Sequence, residues 1–220
     1  MRWFAYRVSR FIALCLSLPF VKIHVLNRAA SAQSGAWVLV ANHISHFDPP
    51  LLSLAARRAI DWMAMRELFG NPFFAAWLRA IGTFPAGRGQ ADRAAVRTTL
   101  ERLEQGRVVG IFPEGGIRDG AHSILQGAPV KPGAMRLAKM AGISIIPCVI
   151  LGSDRLYNRR RWVPWQRVPV WIGFGPAIGP GAEESMLASA LQSLVRELSR
   201  EFSLAEADLP RPPAERMRER

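Results

Sequence analysis

Asn42-His43-Ile44-Ser45-His46-Phe47-Asp48-Pro49-Pro50 is the stretch whose reading decides the fold. It follows an apolar run, Ala36-Trp37-Val38-Leu39-Val40-Ala41, with the length and composition of a short buried strand. Residues 49–58 after it are helical in character. The junction therefore sets a titratable base, His43, at the end of a strand, where α/β sheets open their crevices to ligands. Asp48 lies five residues further on. An Asp before Pro suits a helix N-cap with Pro49 at the first helical position. It also suits a partner for the imidazole, and the roles are compatible: one carboxylate oxygen can cap while the other accepts the ring N–H.

Working outward, the pattern alternates. A possible edge strand at 22–27 and a loop of small residues at 28–35 precede the central stretch. After it come a strand at 60–65, a helix at 72–79 capped by Asn71, and a Gly-rich loop at 81–90. A helix at 91–105 carries Val96, Leu100 and Leu103 on one stripe and ends at Gly106. A strand at 107–112, a helix at 132–140 closed by Gly142, and a strand at 143–151 follow. Strand–helix alternation with connections long enough for crossovers predicts an α/β fold, a mostly parallel central sheet covered by helices. Later come a strand at 168–174 and a helix at 183–204, whose Leu187, Leu191, Leu194 and Leu198 form a packing stripe. Between them, residues 155–167 carry Arg159-Arg160-Arg161 with Trp162 and Trp165, which reads equally as a membrane-interface contact or a solvated loop.

Composition bounds the function. The 220 residues suffice for one well-filled core, and no Gly/Ser linker divides them. Lys and Arg outnumber Asp and Glu by 29 to 17, a net +12 that favours an anionic partner: a phosphorylated substrate, an acidic membrane surface or nucleic acid. Cys15 and Cys148 lie far apart in apolar runs, which implies packed thiols and no disulfide framework. Arg2, Arg7 and Arg10 precede an apolar run at 11–21, too short for the roughly 20 residues of a spanning helix. Lys22, His24 and Arg28 argue against a signal peptide cleaved near Ala32. Residues 2–20 therefore read as an interfacial helix, with Trp3, Phe4, Phe11 and Leu14 towards lipid and the arginines towards headgroups. An ordinary core helix is the alternative. The expected organisation is an N-terminal membrane-associating segment at 1–30, an α/β domain at 31–205 and a basic, Pro-rich tail at 206–220.

Four blocks in order then carry a resemblance. Asn42-His43-x-Ser45-x-x-Asp48, a loop from Gly82 to Arg88, Phe112-Pro113-Glu114-Gly115-Gly116-Ile117-Arg118, and Ile145-Ile146-Pro147-Cys148 resemble the motifs of the 1-acylglycerol-3-phosphate acyltransferase family, the glycerolipid acyltransferases. Lys131-Pro132-Gly133 also sits where that family often has a Lys and a helix-opening Gly. The third block departs in having Gly116 where Thr or Ser is usual, and in the extra Ile117 before Arg118.

The resemblance implies direct acyl transfer from a thioester, acyl-CoA or acyl carrier protein, to the free hydroxyl of a 1-acylglycerol-3-phosphate. His43 would be the general base and Asp48 its orienting partner. Arg88, Glu114, Gly115, Gly116 and Arg118 would hold the glycerol phosphate. No cofactor or metal is implied, the thioester being a substrate. The expected setting is the cytoplasmic face of a membrane, on an anionic surface.

His46 reads as a lining residue and rival base. Ser45 lacks the Gly-x-Ser-x-Gly surroundings of a nucleophile. A metal-dependent hydrolase built on His43, His46 and Asp48 lacks a further ligand cluster. A nucleic-acid module would account for the charge, but no recognised motif accompanies it. A non-catalytic lipid-surface protein of the same fold remains open.

Overall fold

The computed structural model describes residues 2–87, 92–118, 120–163 and 166–209. Its strands are β1 (Val21–Leu26), β2 (Trp37–Ala41), β3 (Ile60–Met65), β4 (Phe84–Ala86), β5 (Val108–Ile111), β6 (Ile145–Leu151) and β7 (Val168–Phe174). Its α-helices are α1 (Arg2–Ser17), α2 (Asp48–Ala55), α3 (Pro72–Ala80), α4 (Arg93–Glu104), α5 (Gly133–Ala141) and α6 (Glu184–Phe202).

The strands form one seven-stranded sheet in the order β1-β7-β6-β2-β5-β3-β4. Every pairing is parallel except β6 with β7. The sheet is thus mostly parallel, as the alternation predicts, but β1 and β7 run against the rest. That reversal has a consequence at the site: the start of β1, where α1 ends, lies at the same sheet edge as the ends of β2, β5 and β6.

β2, β5 and β6 are buried along their whole length. Both faces are covered, so their sequences are continuous apolar runs rather than alternating ones. Val38, Val40, Val109, Ile145 and Val149 point to one face, against Leu187, Leu191, Leu194 and Leu198 of α6 and Leu137 and Ala138 of α5. Trp37, Leu39, Ala41, Ile146, Cys148 and Ile150 point to the other, against Leu51, Leu52 and Ala55 of α2. Each fully buried leucine contributes about 1.5–3 kcal/mol, so the α6 stripe alone fixes that helix to the sheet. β4 was not expected; three residues inside a Gly-rich loop are too few to show a period, and pairing with β3 makes them a strand.

The expected boundary near residue 30 does not separate two units, because β1 is a full member of the sheet, paired along β7. Nor is α1 an appendage. Tyr6 is buried and accepts from the Ile60 N–H at 3.3 Å, and Trp77 of α3 donates to Ser9 at 2.9 Å. Arg10, expected at lipid headgroups, instead donates to the Leu54 carbonyl at 2.9 Å, satisfying the C-terminal end of α2. The outer face of α1 is apolar and exposed as expected at Phe4, Phe11 and Leu14. It continues across α3, where Phe73 is 86% exposed. Among the described residues no helix is long and apolar enough to cross a membrane. The side chain of Trp3 and the tail at 210–220 lie outside the description; Asp208, just before that tail, pairs with Arg155 at 2.6 Å.

Candidate active site

The polar stretch begins where β2 leaves the sheet. Asn42, fully buried, ties that exit to β6: its amide donates to the Ile150 carbonyl and accepts from the Ile150 N–H, both at 2.9 Å. His43 and Asp48 come together, with His43 Nδ1 2.9 Å from Asp48 Oδ2. Asp48 is fully buried and is the first residue of α2, not its cap; Phe47 holds the cap position without a side-chain bond. The expected division of oxygens also changes. Oδ2 accepts from the imidazole and from the N–H groups of Ile44 and Ser45, each at 2.8 Å, while Oδ1 accepts from the Ser153 hydroxyl. The carboxylate thus folds the turn and orients the base together. With Nδ1–H donating to Asp48, Nε2 carries the free lone pair of the imidazole.

The third block wraps the first. Glu114 is buried, and its Oε2 accepts from the His43 N–H at 2.6 Å. Its Oε1 accepts from Ile124 N–H at 2.9 Å and Ser123 Oγ at 3.1 Å. Burial pushes the Glu114 carboxyl above its usual range, and the bonds from Ile124, His43 and Ser123 act against that rise. This corrects the expectation that Glu114 holds phosphate: an inward-turned carboxylate with both oxygens engaged braces the backbone of the base. On the other side of the same residue, the Arg118 N–H donates to the His43 carbonyl at 2.8 Å. The Arg118 side chain is exposed, as is Gly115. Gly116 has open space where a Cβ would stand.

An aromatic stack completes the hold. The His43 ring lies on Phe112, centroids 4.1 Å apart and planes 15° apart, and Phe112 lies on Trp62 at 4.9 Å and 7°. Gly110 makes that stack possible, since a Cβ there would stand 2.5 Å from the Trp62 ring. Lys131 donates to the Glu114 carbonyl at 2.9 Å, which places its ammonium over the turn.

Arg88 lies outside the described residues; the stretch before it starts at the opposite end of the sheet, runs through β4 and ends at Gly87. At Gly82, with φ +96°, an added Cβ would fall 2.2 Å from Asp61 Oδ1. Arg102 donates to the Gly82 carbonyl and pairs with buried Asp61 at 3.1 Å; Arg107 pairs with the same carboxylate. After the loop, Asp92 caps α4 and accepts from the Gly87 N–H and from Arg66, both at 2.7 Å. The Gly87 bond, foremost, holds the Asp92 carboxyl below its usual range.

His46 is turned away from His43: its Nδ1 meets the Tyr157 hydroxyl at 2.5 Å and its N–H donates to the same oxygen at 2.9 Å. Among the described residues no three His, Cys, Asp or Glu side chains converge as metal ligands would. Sequence reasoning passed over Ser153, Tyr157 and Trp62, because a Ser after a strand and an aromatic in a loop carry no signal without their partners. Trp162, from the loop that reads equally as a membrane-interface contact or a solvated loop, packs its ring on Phe47 and Phe20 and donates to the Leu156 carbonyl at 2.8 Å. Trp165 lies outside the described residues.

A His–Asp pair at the end of a central strand, gripped by a Pro-Glu-Gly turn on a mostly parallel sheet, defines a class, and sequence comparison agrees with it. The chain belongs to the acyltransferase family: the family model described as Acyltransferase matches residues 22–151, more than half of the chain. It is 28% identical over 172 residues to the 1-acyl-sn-glycerol-3-phosphate acyltransferase of Streptococcus pneumoniae, covering 77% of this chain and 60% of that one. Over 133 residues it is 27% identical to the Bacillus subtilis protein of the same name, covering 60% of this chain and 64% of the relative. The Helicobacter pylori protein of that name is 31% identical over 139 residues, covering 61% and 56%. The chain thus spans less than two thirds of the length of these relatives. The crystal structure of the 1-acyl-sn-glycerophosphate (LPA) acyltransferase PlsC from Thermotoga maritima superposes with a TM-score of 0.70 at 19% identity, covering 93% of this chain and 83% of that one, a likeness of fold.

Proposed function

We propose that the protein transfers a fatty acyl group from an acyl thioester to the free hydroxyl of 1-acylglycerol-3-phosphate, making phosphatidic acid. The observation that carries this is the His43–Asp48 pair at 2.9 Å, which leaves Nε2 as the base at the sheet edge. Nε2 takes the hydroxyl proton as the oxygen attacks the thioester carbonyl. The tetrahedral intermediate then collapses, the C–S bond breaks, and the imidazolium returns the proton to the departing sulfur. Asp48 stabilises the imidazolium while it exists. No acyl-enzyme is required, because a thiolate leaves readily. Arg118 and the Lys131 ammonium supply cations for the acceptor phosphate on the β5 side, and the resemblance assigns Arg88 to the same phosphate.

The exposed apolar face shared by α1 and α3 supports a peripheral seat on a membrane, which we assign to the cytoplasmic leaflet. Arg7 on α1 and Arg79 on α3 are exposed and suit anionic lipid.

The test is acyl transfer by the purified protein to a panel of lysophospholipids from both acyl-CoA and acyl carrier protein. His43→Ala should lower kcat by about 10²–10⁴-fold, the usual worth of a general base, and leave vesicle binding intact. Residual activity within a few-fold of the unsubstituted protein would exclude His43 as the base.

A further inference from the structure

The order β6-β2-β5 gives His43 two lateral neighbours, and the two sides differ in chemistry. On the β5 side stand the Glu114 brace, the Lys131 ammonium and the exposed Arg118, with the pinned loop that leads to Arg88 beyond. A transfer between two bulky substrates needs a second approach to Nε2.

The β6 side is built differently. Ser153 holds Asp48, and Tyr157 holds His46, so the segment at 152–163 is fastened to the catalytic turn at two points. From there an aromatic row runs outward. Tyr157 lies 5.8 Å from Phe47, Phe47 lies 6.3 Å from Trp162, and Trp162 lies 5.8 Å from Phe20. Tyr157 and Trp162 are about half exposed, at 45% and 44%. Phe20 stands in the turn between α1 and β1, so the row runs from that turn to the catalytic turn. Next to the row, Arg160 and Arg161 are exposed on the same loop.

We propose that this loop is the acyl-donor side of the site. The aromatic row takes the acyl chain, and Arg160 and Arg161 take the phosphate of the carrier that bears the thioester, a phosphopantetheine. That chemistry is shared by coenzyme A and by acyl carrier protein. The inference rests on the acyl-transfer reading, because it assigns the second substrate of that reaction. Two features favour it over a headgroup contact for the loop. The Trp162 indole is directed inward, donating to Leu156, and the row ends at the turn that holds the base.

The experiment is the double variant Arg160→Glu/Arg161→Glu, with Arg196→Glu/Arg200→Glu on α6 as a charge-matched control. KM is measured for acyl-CoA, acyl-dephospho-CoA, acyl carrier protein thioester and lysophosphatidate, together with binding to anionic vesicles. The loop variant should raise the donor KM about tenfold, the scale of a lost charge-assisted contact, and leave the lysophosphatidate KM in place. The control should change neither. The milder Arg160→Gln/Arg161→Gln pair should move the same constant by less. A rise shared by all three donors supports the common phosphopantetheine phosphate. One confined to acyl-CoA and acyl-dephospho-CoA, which both keep that phosphate, assigns the loop to coenzyme A, and one confined to the protein thioester assigns it to the carrier protein. A rise for acyl-CoA alone, abolishing its preference over acyl-dephospho-CoA, would place the arginines at the 3′-phosphate and overturn the phosphopantetheine contact. An unchanged donor KM, a raised lysophosphatidate KM, or a loss confined to vesicle binding would overturn the proposal. If the unsubstituted protein transfers no acyl group from either donor, the acyl-transfer reading itself fails, a distinct result.

Discussion

The two flanks of the turn from Asn42 to Asp48 hold different members of the proposed His43–Asp48 dyad. The β5 flank grips the base: Glu114 takes the His43 N–H, Arg118 supplies an N–H to its carbonyl, and Phe112 lies against its ring. The β6 flank grips the base's partner through Ser153 and the neighbouring His46 through Tyr157. His43 and Asp48, the proposed base and its orienter, are thus positioned by segments remote in sequence and adjacent only in the sheet. Damage to the β5 flank displaces the proton acceptor itself. Damage to the β6 flank leaves the acceptor in place and loosens what polarises it.

The largest expected effect is on the β5 flank. Glu114→Ala leaves the His43 and Ile124 N–H groups without their acceptor, a penalty of about 1–3 kcal/mol for each buried donor left unsatisfied. Activity should fall by about 10²-fold or more, with a lower melting temperature. Steady-state kinetics and thermal denaturation check both, and a variant of normal stability and rate would remove the brace from the account. Ser153→Ala should cost less, about tenfold in kcat, since the three N–H groups on Oδ2 still fix Asp48. Equal losses in the two variants would erase the distinction between flanks.

Phe112→Leu keeps apolar volume but removes the stack on the imidazole. An aromatic pair is worth about 0.5–1.5 kcal/mol beyond burial, so kcat should drop several-fold with both KM values steady. The smallest effect is in the pH dependence of stability. Burial raises the Glu114 pKa, so the folded state binds that proton more tightly than the unfolded chain. The stability this contributes is full below the unfolded carboxylate value, about pH 4.3 for Glu, and is lost as pH rises through the higher folded value. Glu114→Gln lacks the titration. Urea denaturation across pH should therefore show the unsubstituted protein losing ground to the variant as pH rises through that window; the opposite slope would contradict the direction of the shift.

Much of the site was legible because its signals are local. A six-residue apolar run followed by Asn-His and an Asp five positions after the His puts imidazole and carboxylate on one turn, whatever packs around it. The Phe-Pro-Glu-Gly block was equally visible, but the job of Glu114 was not. A carboxylate in a Gly-rich turn looks solvent-facing until residues 123 and 124, nine and ten positions on, come over it. Ser153 was silent for the same reason, being 105 positions from the carboxylate it serves.

The sequence by itself determined the helices, most of the strands, the His43–Asp48 pairing and the buried face of α6, because burial on a regular element leaves a period that neighbouring residues share. Tertiary structure alone decided the direction of β1 and β7, the place of α1 against α2 and α3, and the conversion of Glu114 from a supposed ligand into a brace. Each of these depends on which remote backbone groups need partners once the sheet is assembled, and that need has no counterpart in local periodicity.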